Sequence, residues 1–286
     1  MKSSMDVKER SGLKQIETVP VLVIGATLAG LGLAAAGKER ALVVERTSGV
    51  GREYLGCFHP GERLEEPTSS EAAGVLWEEL TRRNLLSENR LHLGAMAPVL
   101  FNRIRRDGWR VRFLTEIIGI EREAEADAYT VTLFDASGLR QIRTSFIVDT
   151  TSLCVSSPAS KPAIRSKKLN AMLHNADPSV NVPVLNEGGA EVVQGRFPGE
   201  VILKLNLDPG DDWPSARDKL HRYWADRPAV FGSWTMALVA DAFETFTEKG
   251  PFPLGERWVW LPSCAYANAL QAFDAGTVLD GGGIFA

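Results

Sequence analysis

Gly25 and Gly30 stand five residues apart directly after the apolar run Val21-Leu22-Val23-Ile24, and an acid, Glu45, closes a second apolar run twenty residues beyond the first glycine. Residues of these types in this order suit a phosphate-bearing ligand. In a nucleotide-binding turn the first glycine permits the tight bend and the last lets helix and strand pack closely. The free N–H groups of a helix starting at Leu28 and Ala29, with its dipole, then favour a diphosphate. Thr27 occupies the middle place of G-x-G-x-x-G, where glycine would let the backbone approach the phosphates; threonine costs space and offers a hydroxyl. An acid at the tip of the second strand accepts both ribose hydroxyls of an adenosine and repels a 2′-phosphate. A small-residue β-α turn also occurs in sheets that bind nothing, and Glu45 alone could be a solvated strand-end charge. Their spacing and order together favour a ligand: a dinucleotide with an unphosphorylated ribose, FAD or NAD.

Gly56-Cys57-Phe58-His59 adds a thiol and an imidazole, the two candidates for chemistry on a substrate. A lone cysteine is more often a small buried hydrophobe. His92, His174 and His221 share no spacing that suggests a metal or a triad, and Cys57, Cys154 and Cys264 lie too far apart for a disulfide framework or a metal cluster. No metal is expected, and the cysteines read as reduced thiols. Trp213, Trp224, Trp234, Trp258 and Trp260 enrich the C-terminal half in aromatics, mostly as core. Asp208-Pro209-Gly210-Asp211-Asp212 lacks the remaining ligands of a calcium loop and reads as a turn and helix cap.

These residues need elements to hold them. Val19 to Ile24 reads as a strand buried on both faces, Leu28 to Gly37 as a small-residue helix, and Ala41 to Glu45 as the next strand, which makes a short β-α-β unit. Apolar residues at Ala72, Val75, Leu76 and Leu80 recur at helical spacing behind Ser69-Ser70, predicting a helix over 71–84. Alternation over 109–114 and 129–134, with the turn Asp135-Ala136-Ser137-Gly138, predicts a strand and then a β-meander ending in Phe146-Ile147-Val148-Asp149. Residues 152–200, rich in proline and glycine, read as loops or a divergent insertion. Beyond them come a strand at 201–207, a helix at 213–226 with Pro214 in its first turn, a further helix at 234–246, a strand at 258–261 and a helix at 266–275. There is no internal repeat.

The 286 residues allow one large or two small domains, and 44% hydrophobic content fills a core. Acidic and basic residues are spread along the chain for a net charge of −4, without the basic run that would track nucleic acid. No apolar stretch reaches membrane-spanning length, and residues 1–18 lack the apolar core of a secretory signal, so they read as a flexible tail on a cytoplasmic protein.

Val21 to Gly30, followed by Val43-Val44-Glu45-Arg46 and Gly49-Val50-Gly51, resembles the start of FAD-dependent oxidoreductases with a glutathione-reductase-type Rossmann fold. Phe113 to Glu121 looks like that family's strand whose backbone meets adenine, and Phe146 to Ser152 like its apolar-strand-Asp-Ala-Thr-Gly segment. The likeness covers 19–152 and, more loosely, 256–280. It implies an α/β fold: an FAD/NAD(P)-binding Rossmann-like three-layer domain with a β-meander, assembled from 19–60, 109–152 and 256–280. A second, mixed-sheet substrate or cap domain would come from 61–108 and 153–255. By resemblance FAD is the cofactor, and Gly25, Thr27, Leu28, Ala29 and Gly30 shape the phosphate turn. Glu45 holds the ribose, Arg46 and Arg52 flank the adenosine or phosphates, Ile117 touches adenine through its backbone, and Asp149 and Thr150 sit near the pyrophosphate. Cys57 and His59 fall where such proteins approach the flavin ring. The implied activity is oxidation of a small-molecule organic substrate by hydride or electron transfer to flavin. Thr27, Ser152, and Pro262-Ser263-Cys264 in place of the family's flavin-side acid depart from the pattern. They keep open a degenerate Rossmann subunit of a larger complex with weak or no flavin binding, and leave room for a partner subunit or a homo-oligomer. An NAD-dependent dehydrogenase is a further alternative, disfavoured by the meander.

Overall fold

The computed structural model describes residues 16–279 except 63, 66–68, 88–89, 124, 161–163 and 186–188. Most of the expected tail, residues 1–15, and the final residue of the expected 256–280 segment lie outside that set. Valine, leucine and isoleucine make strands of Glu17–Ile24 (β1) and Ala41–Val44 (β2), joined by Leu28–Gly37 (α1). Glu71–Arg82 (α2) and Leu93–Arg106 (α3) follow, separated by the small hairpin Leu86–Ser87 (β3) and Arg90–Leu91 (β4). Val111–Arg112 (β5) precedes the meander Glu116–Glu123 (β6), Ala128–Asp135 (β7) and Gly138–Asp149 (β8). Ser166–His174 (β9), Ala190–Gln194 (β10) and Glu200–Leu207 (β11) lead to Trp213–Ala225 (α4), then Thr235–Val239 (β12) and Glu244–Phe246 (β13). Phe252–Gly255 (β14), Trp258–Trp260 (β15) and Ala269–Val278 (α5) complete the described chain.

The main sheet runs β14-β15-β8-β1-β2-β5, with β7 and β6 extending from the first half of β8. β15, β8, β1, β2 and β5 pair in parallel. Its register matters for function, because Ile24 lies opposite both Val44 and Asp149, and Asp149 lies opposite Trp260. The segments that leave these four strands therefore emerge together along one edge, where open α/β sheets bind ligands.

Alternating burial on the strands separates two layers. Val21, Val23, Ala41 and Val43 pack beneath α1, α2, α3 and α5, while Leu22, Ile24, Leu42 and Val44 face Tyr129, Val131 and Leu133 of the meander. Helix, sheet and meander make the three layers of a Rossmann-like FAD/NAD(P)-binding fold. α1 and α5 touch backbone to backbone: a Cβ on Gly32 would stand 2.0 Å from the Phe273 carbonyl oxygen, and one on Gly276 2.0 Å from that of Ala29. The second sheet, β10-β11-β9-β12 with β13 also on β9, is antiparallel throughout its described pairings. Leu169, Leu173, Leu203, Leu220 of α4, Phe231 and Trp234 form its separate core.

Several expectations need correction. The helix expected over 234–246 is the strand pair β12 and β13, bonded to β9; helix-forming Met236, Ala237 and Leu238 are overridden by sheet pairing. The loops expected over 152–200 contain β9 and β10, with the described prolines Pro158, Pro178, Pro183 and Pro198 outside both strands. α3, with Pro98 inside it, has no counterpart among the expected elements. The strand expected at 109–114 shrinks to Val111–Arg112, β1 begins at Glu17, and the last helix starts at Ala269, capped by Asn268, rather than at 266. α2 is capped by Ser70 and α4 by Asp212, with Pro214 in its first turn. Among the described residues no helix is long and apolar enough to cross a membrane, and no cluster of His, Cys, Asp or Glu is arranged to hold a metal.

Candidate functional site

The turn after β1 is built by glycine geometry at one end and a threonine cap at the other. Gly25 adopts φ +98°, a left-handed conformation that disfavours side chains. A Cβ on Gly30 would fall 2.1 Å from the Gly25 carbonyl oxygen, so the third glycine admits the closure of the turn itself. Thr27 is the N-cap of α1: its Oγ1 accepts from Gly30 N at 3.0 Å and donates to Thr150 Oγ1 at 2.7 Å, and Thr150 donates on to the Ile24 carbonyl at 2.8 Å. The side chain in the place of the middle glycine thus ties the helix to the end of β8.

Helix termini leave N–H groups without intrahelical partners. At α1 and in the turn before it the chain supplies acceptors of its own, and two are carboxylates, Glu45 at the turn and Glu53 at the helix. Glu45 Oε2 accepts from Ala26 N at 2.9 Å, while its Oε1 holds Thr47 N and Thr47 Oγ1 at 2.8 and 2.7 Å. Glu53 Oε1 accepts from Leu28 N at 2.7 Å and from Ser263 Oγ at 2.6 Å, and Ser263 Oγ accepts from Ala29 N at 3.1 Å. Glu53 Oε2 is buried without a hydrogen-bond partner. Burial raises the Glu53 carboxyl from 4.5 to about 7, against the lowering pull of Ser263 and Leu28. The donor set fits a diphosphate: helix-terminal N–H groups and hydroxyls converge on an anion. Glu53 stands among those donors.

Glu45 directly follows β2, and Thr115 N and Leu114 N bond the carbonyls of Glu45 and Thr47 at 2.9 and 3.2 Å, drawing the start of the meander to this edge. Ile117 lies two residues further on β6. Beside them a cavity of about 410 Å³ is lined by Arg46, Leu114, Glu116, Phe134 and the hairpin tip between β7 and β8. Arg52 turns elsewhere: its guanidinium meets Asp241 of the connection after β12, donating to the carbonyl at 2.9 Å. Asp149 is fully buried and occupied, its two oxygens accepting from Thr151 and Ser156 backbone and hydroxyl groups at 2.6 to 2.8 Å. Desolvation raises its pKa in spite of those bonds. Thr150 therefore faces the turn, while Asp149 organises the loop after β8.

Cys57 and His59 enter the junction between the two sheets. Cys57 is fully buried, its thiol donates to the Glu53 carbonyl at 2.9 Å, and burial pushes its pKa well up, which opposes thiolate chemistry. His59 stacks on Tyr54 with ring centroids 5.4 Å apart, and its Nδ1 lies 3.2 Å from Lys204 Nζ. Desolvation lowers its pKa from 6.5 to about 4, so the ring is neutral near pH 7. Nδ1 then accepts from the ammonium, and Nε2 carries the hydrogen. Lys204 of β11 bonds Glu244 of β13 at 2.9 to 3.0 Å, and Asn170 of β9 donates to Glu244 and to the Cys57 carbonyl, both at 2.6 Å. Burial works against the Glu244 carboxylate, but the neighbouring His59 and Lys204, with hydrogen bonds from Lys204 and Asn170, outweigh it and hold its pKa below the ordinary value. A neutral imidazole and a buried ion pair can orient a polar ligand and hold its proton.

Glu53, Ser263, Lys204, Glu244 and Asn170 were not among the expected site residues. Glu53 had a faint signal, an acid beside Arg52 in the short glycine-containing run Val50 to Cys57. The other four arrive from distant segments through tertiary packing.

No protein-family model matches the sequence, and no curated protein matches it. Solved structures do match. A myxobacterial chondrochloren halogenase, described as a variant of FAD-dependent halogenases, superposes with a TM-score of 0.62 at 15% identity over 94% of this chain and 75% of its own. L-proline dehydrogenase from P. horikoshii gives a TM-score of 0.62 at 12% identity over 93% and 94%. Aklavinone-11 hydroxylase, solved with FAD and aklavinone, gives 0.52 at 16% identity over 92% of this chain and 63% of its own length. At such identities the likeness establishes the fold.

Proposed function

We propose that this chain is an FAD-dependent oxidoreductase acting on a small organic substrate. The observation that carries the reading is the anion seat at α1: the turn from Gly25 to Gly30 presents Leu28 N, and Ala29 N through Ser263, to a carboxylate at the place where the fold would put a diphosphate. FAD-dependent halogenation in one structural neighbour, and bound FAD in another, support extending that seat to a whole cofactor. The N–H groups of Leu28 and Ala29 with the Ser263 hydroxyl would hold the diphosphate, while Thr27 and Thr150, whose hydroxyls are bonded within the turn, would shape it. Glu45 would take the adenosine ribose, and the cavity beside Arg46 and Phe134, close to Ile117, would take the adenine. Bound flavin would supply the hydride or electron chemistry, while the chain supplies binding, orientation and shielding. His59, Lys204 and Glu244, between the sheets, would position the substrate's polar group, with His59 Nε2–H as the donor. The discontinuous Rossmann unit of 19–60, 109–152 and 256–280 and a cap of 153–255 are part of the same proposal; α2 and α3, in the segment 61–108 expected to join the cap, share the Rossmann core instead.

The test is the visible spectrum of the purified chain with added FAD after removal of free flavin. Retained flavin absorbance supports the reading, and a colourless protein refutes it. A second reading, a subunit that keeps the fold without the cofactor, is favoured by one observation: Glu53 already sits on the diphosphate donors. It gives the colourless result.

A further inference from the structure

Glu53 fills its seat imperfectly. One oxygen has two short hydrogen bonds, from Leu28 N and Ser263 Oγ, while the other is buried with none. A buried acceptor left unmade carries a desolvation cost that a merely structural contact would avoid with an amide or an apolar side chain. A phosphate group brings more acceptor oxygens to the same donors. Glu53 also lies in a turn segment, Arg52 to Phe58, that is laid over the N-terminus of α1: Gly51 N donates to the Ala26 carbonyl at 2.8 Å, and a Cβ on Gly51 would stand 2.4 Å from Leu28 Cδ2. The carboxylate is thus delivered to the seat from a layer that covers it. Its hydrogen-bond partners belong to other segments, α1 and the loop after β15.

Resting on the reading of this seat as a dinucleotide site, we propose that Glu53 is a built-in competitor for the diphosphate, a side chain that must withdraw from Leu28 and Ser263 before a dinucleotide can bind. No bond is made or broken covalently; two anions exchange on one donor set. The plugged state lowers the apparent affinity by the fraction of chains in which the seat is free. Glu53 is therefore a regulator of loading rather than a cofactor ligand.

The experiment titrates the full chain and two variants, Glu53→Ala and Glu53→Gln, with FAD and separately with ADP. Calorimetry reads affinity, and circular dichroism checks folding. Glu53→Ala is expected to bind both probes at least about tenfold more tightly than wild type, the scale of one charge-assisted hydrogen bond no longer competing. Glu53→Gln, which keeps the shape and loses the charge, is expected to fall between. If Glu53→Ala does not fold, the Gln variant decides alone: a several-fold gain supports the proposal and no gain overturns it. Equal affinities in all three chains overturn it and leave the flavin reading standing. Weaker binding in the variants also overturns it, since Glu53 would then help hold the nucleotide. No binding of either probe by any chain overturns both readings.

Discussion

Replacing Glu53 by glutamine removes an ionisable group from the buried seat while keeping its shape, and the expected effect on stability depends on pH. The folded-state pKa of about 7 is raised above the unfolded value of 4.5, so the folded chain binds the extra proton. The stability this group contributes is complete below about pH 4.5 and is lost as pH rises through about 7. Moving the carboxyl from 4.5 to about 7 is worth about 3 kcal/mol at about 1.4 kcal/mol per tenfold. His59 has the opposite sign. Its folded pKa is lowered from 6.5 to about 4, so its charging opposes folding as pH falls through that window. Over about pH 4.5 to 6.5 the two effects offset in the wild type, which leaves their joint contribution to the pH profile nearly flat. Urea denaturation of wild type and Glu53→Gln at several pH values from 4.5 to 8 separates them. Whatever fixed cost the buried amide adds, the stability difference should move by about 3 kcal/mol in favour of glutamine between pH 4.5 and 8. A difference independent of pH would refute the assignment of a raised pKa to Glu53 and with it the picture of a poorly satisfied buried carboxylate.

Other outcomes follow from the same geometry. Lys204→Met leaves Glu244 buried without its cation, which should cost about 3 to 5 kcal/mol in chemical denaturation; adding Glu244→Gln should recover much of it, and a strictly additive double mutant would contradict the coupling. Thr27→Ala removes the α1 cap and its bond to Thr150, an expected loss of about 1 to 2 kcal/mol read as a lower thermal midpoint. Glu45→Ala removes the acceptor for Ala26 N and Thr47, and on the proposed function should weaken FAD by about ten- to a hundredfold in a calorimetric titration. Gly276→Ala places a methyl 2.0 Å from the Ala29 carbonyl and should destabilise by about 1 to 3 kcal/mol or more, because α1 and α5 must part to admit it.

What could be read from the sequence was local. Val21 to Gly30, Glu45 and the meander into Asp149 declare themselves because buried strands, tight turns and alternating strands each leave a pattern within a few residues. β12 failed that test, since Met236, Ala237 and Leu238 favour helices and the strand exists only through its pairing with β9. β9 was hidden among prolines that fall in its flanks, and α3 behind Pro98, which stands in its second turn and removes a backbone hydrogen bond. The site shows the same division. Glu45 was legible from its position after β2, whereas Glu53 acquires its meaning only when the turn after Gly51 folds over α1 and meets Ser263 from the far end of the chain. Arg52, one residue earlier, looked as eligible by charge and instead reaches Asp241.

A crystal structure of the chain with FAD tests most directly whether the N-terminus of α1 is a dinucleotide diphosphate seat. Diphosphate oxygens are expected within hydrogen-bond distance of Leu28 N or of Ala29 N and Ser263 Oγ, with the Glu53 carboxylate withdrawn from both. A structure from crystals grown in saturating FAD that still shows Glu53 bonded to Leu28 and Ser263, with no diphosphate against α1, would contradict that assignment.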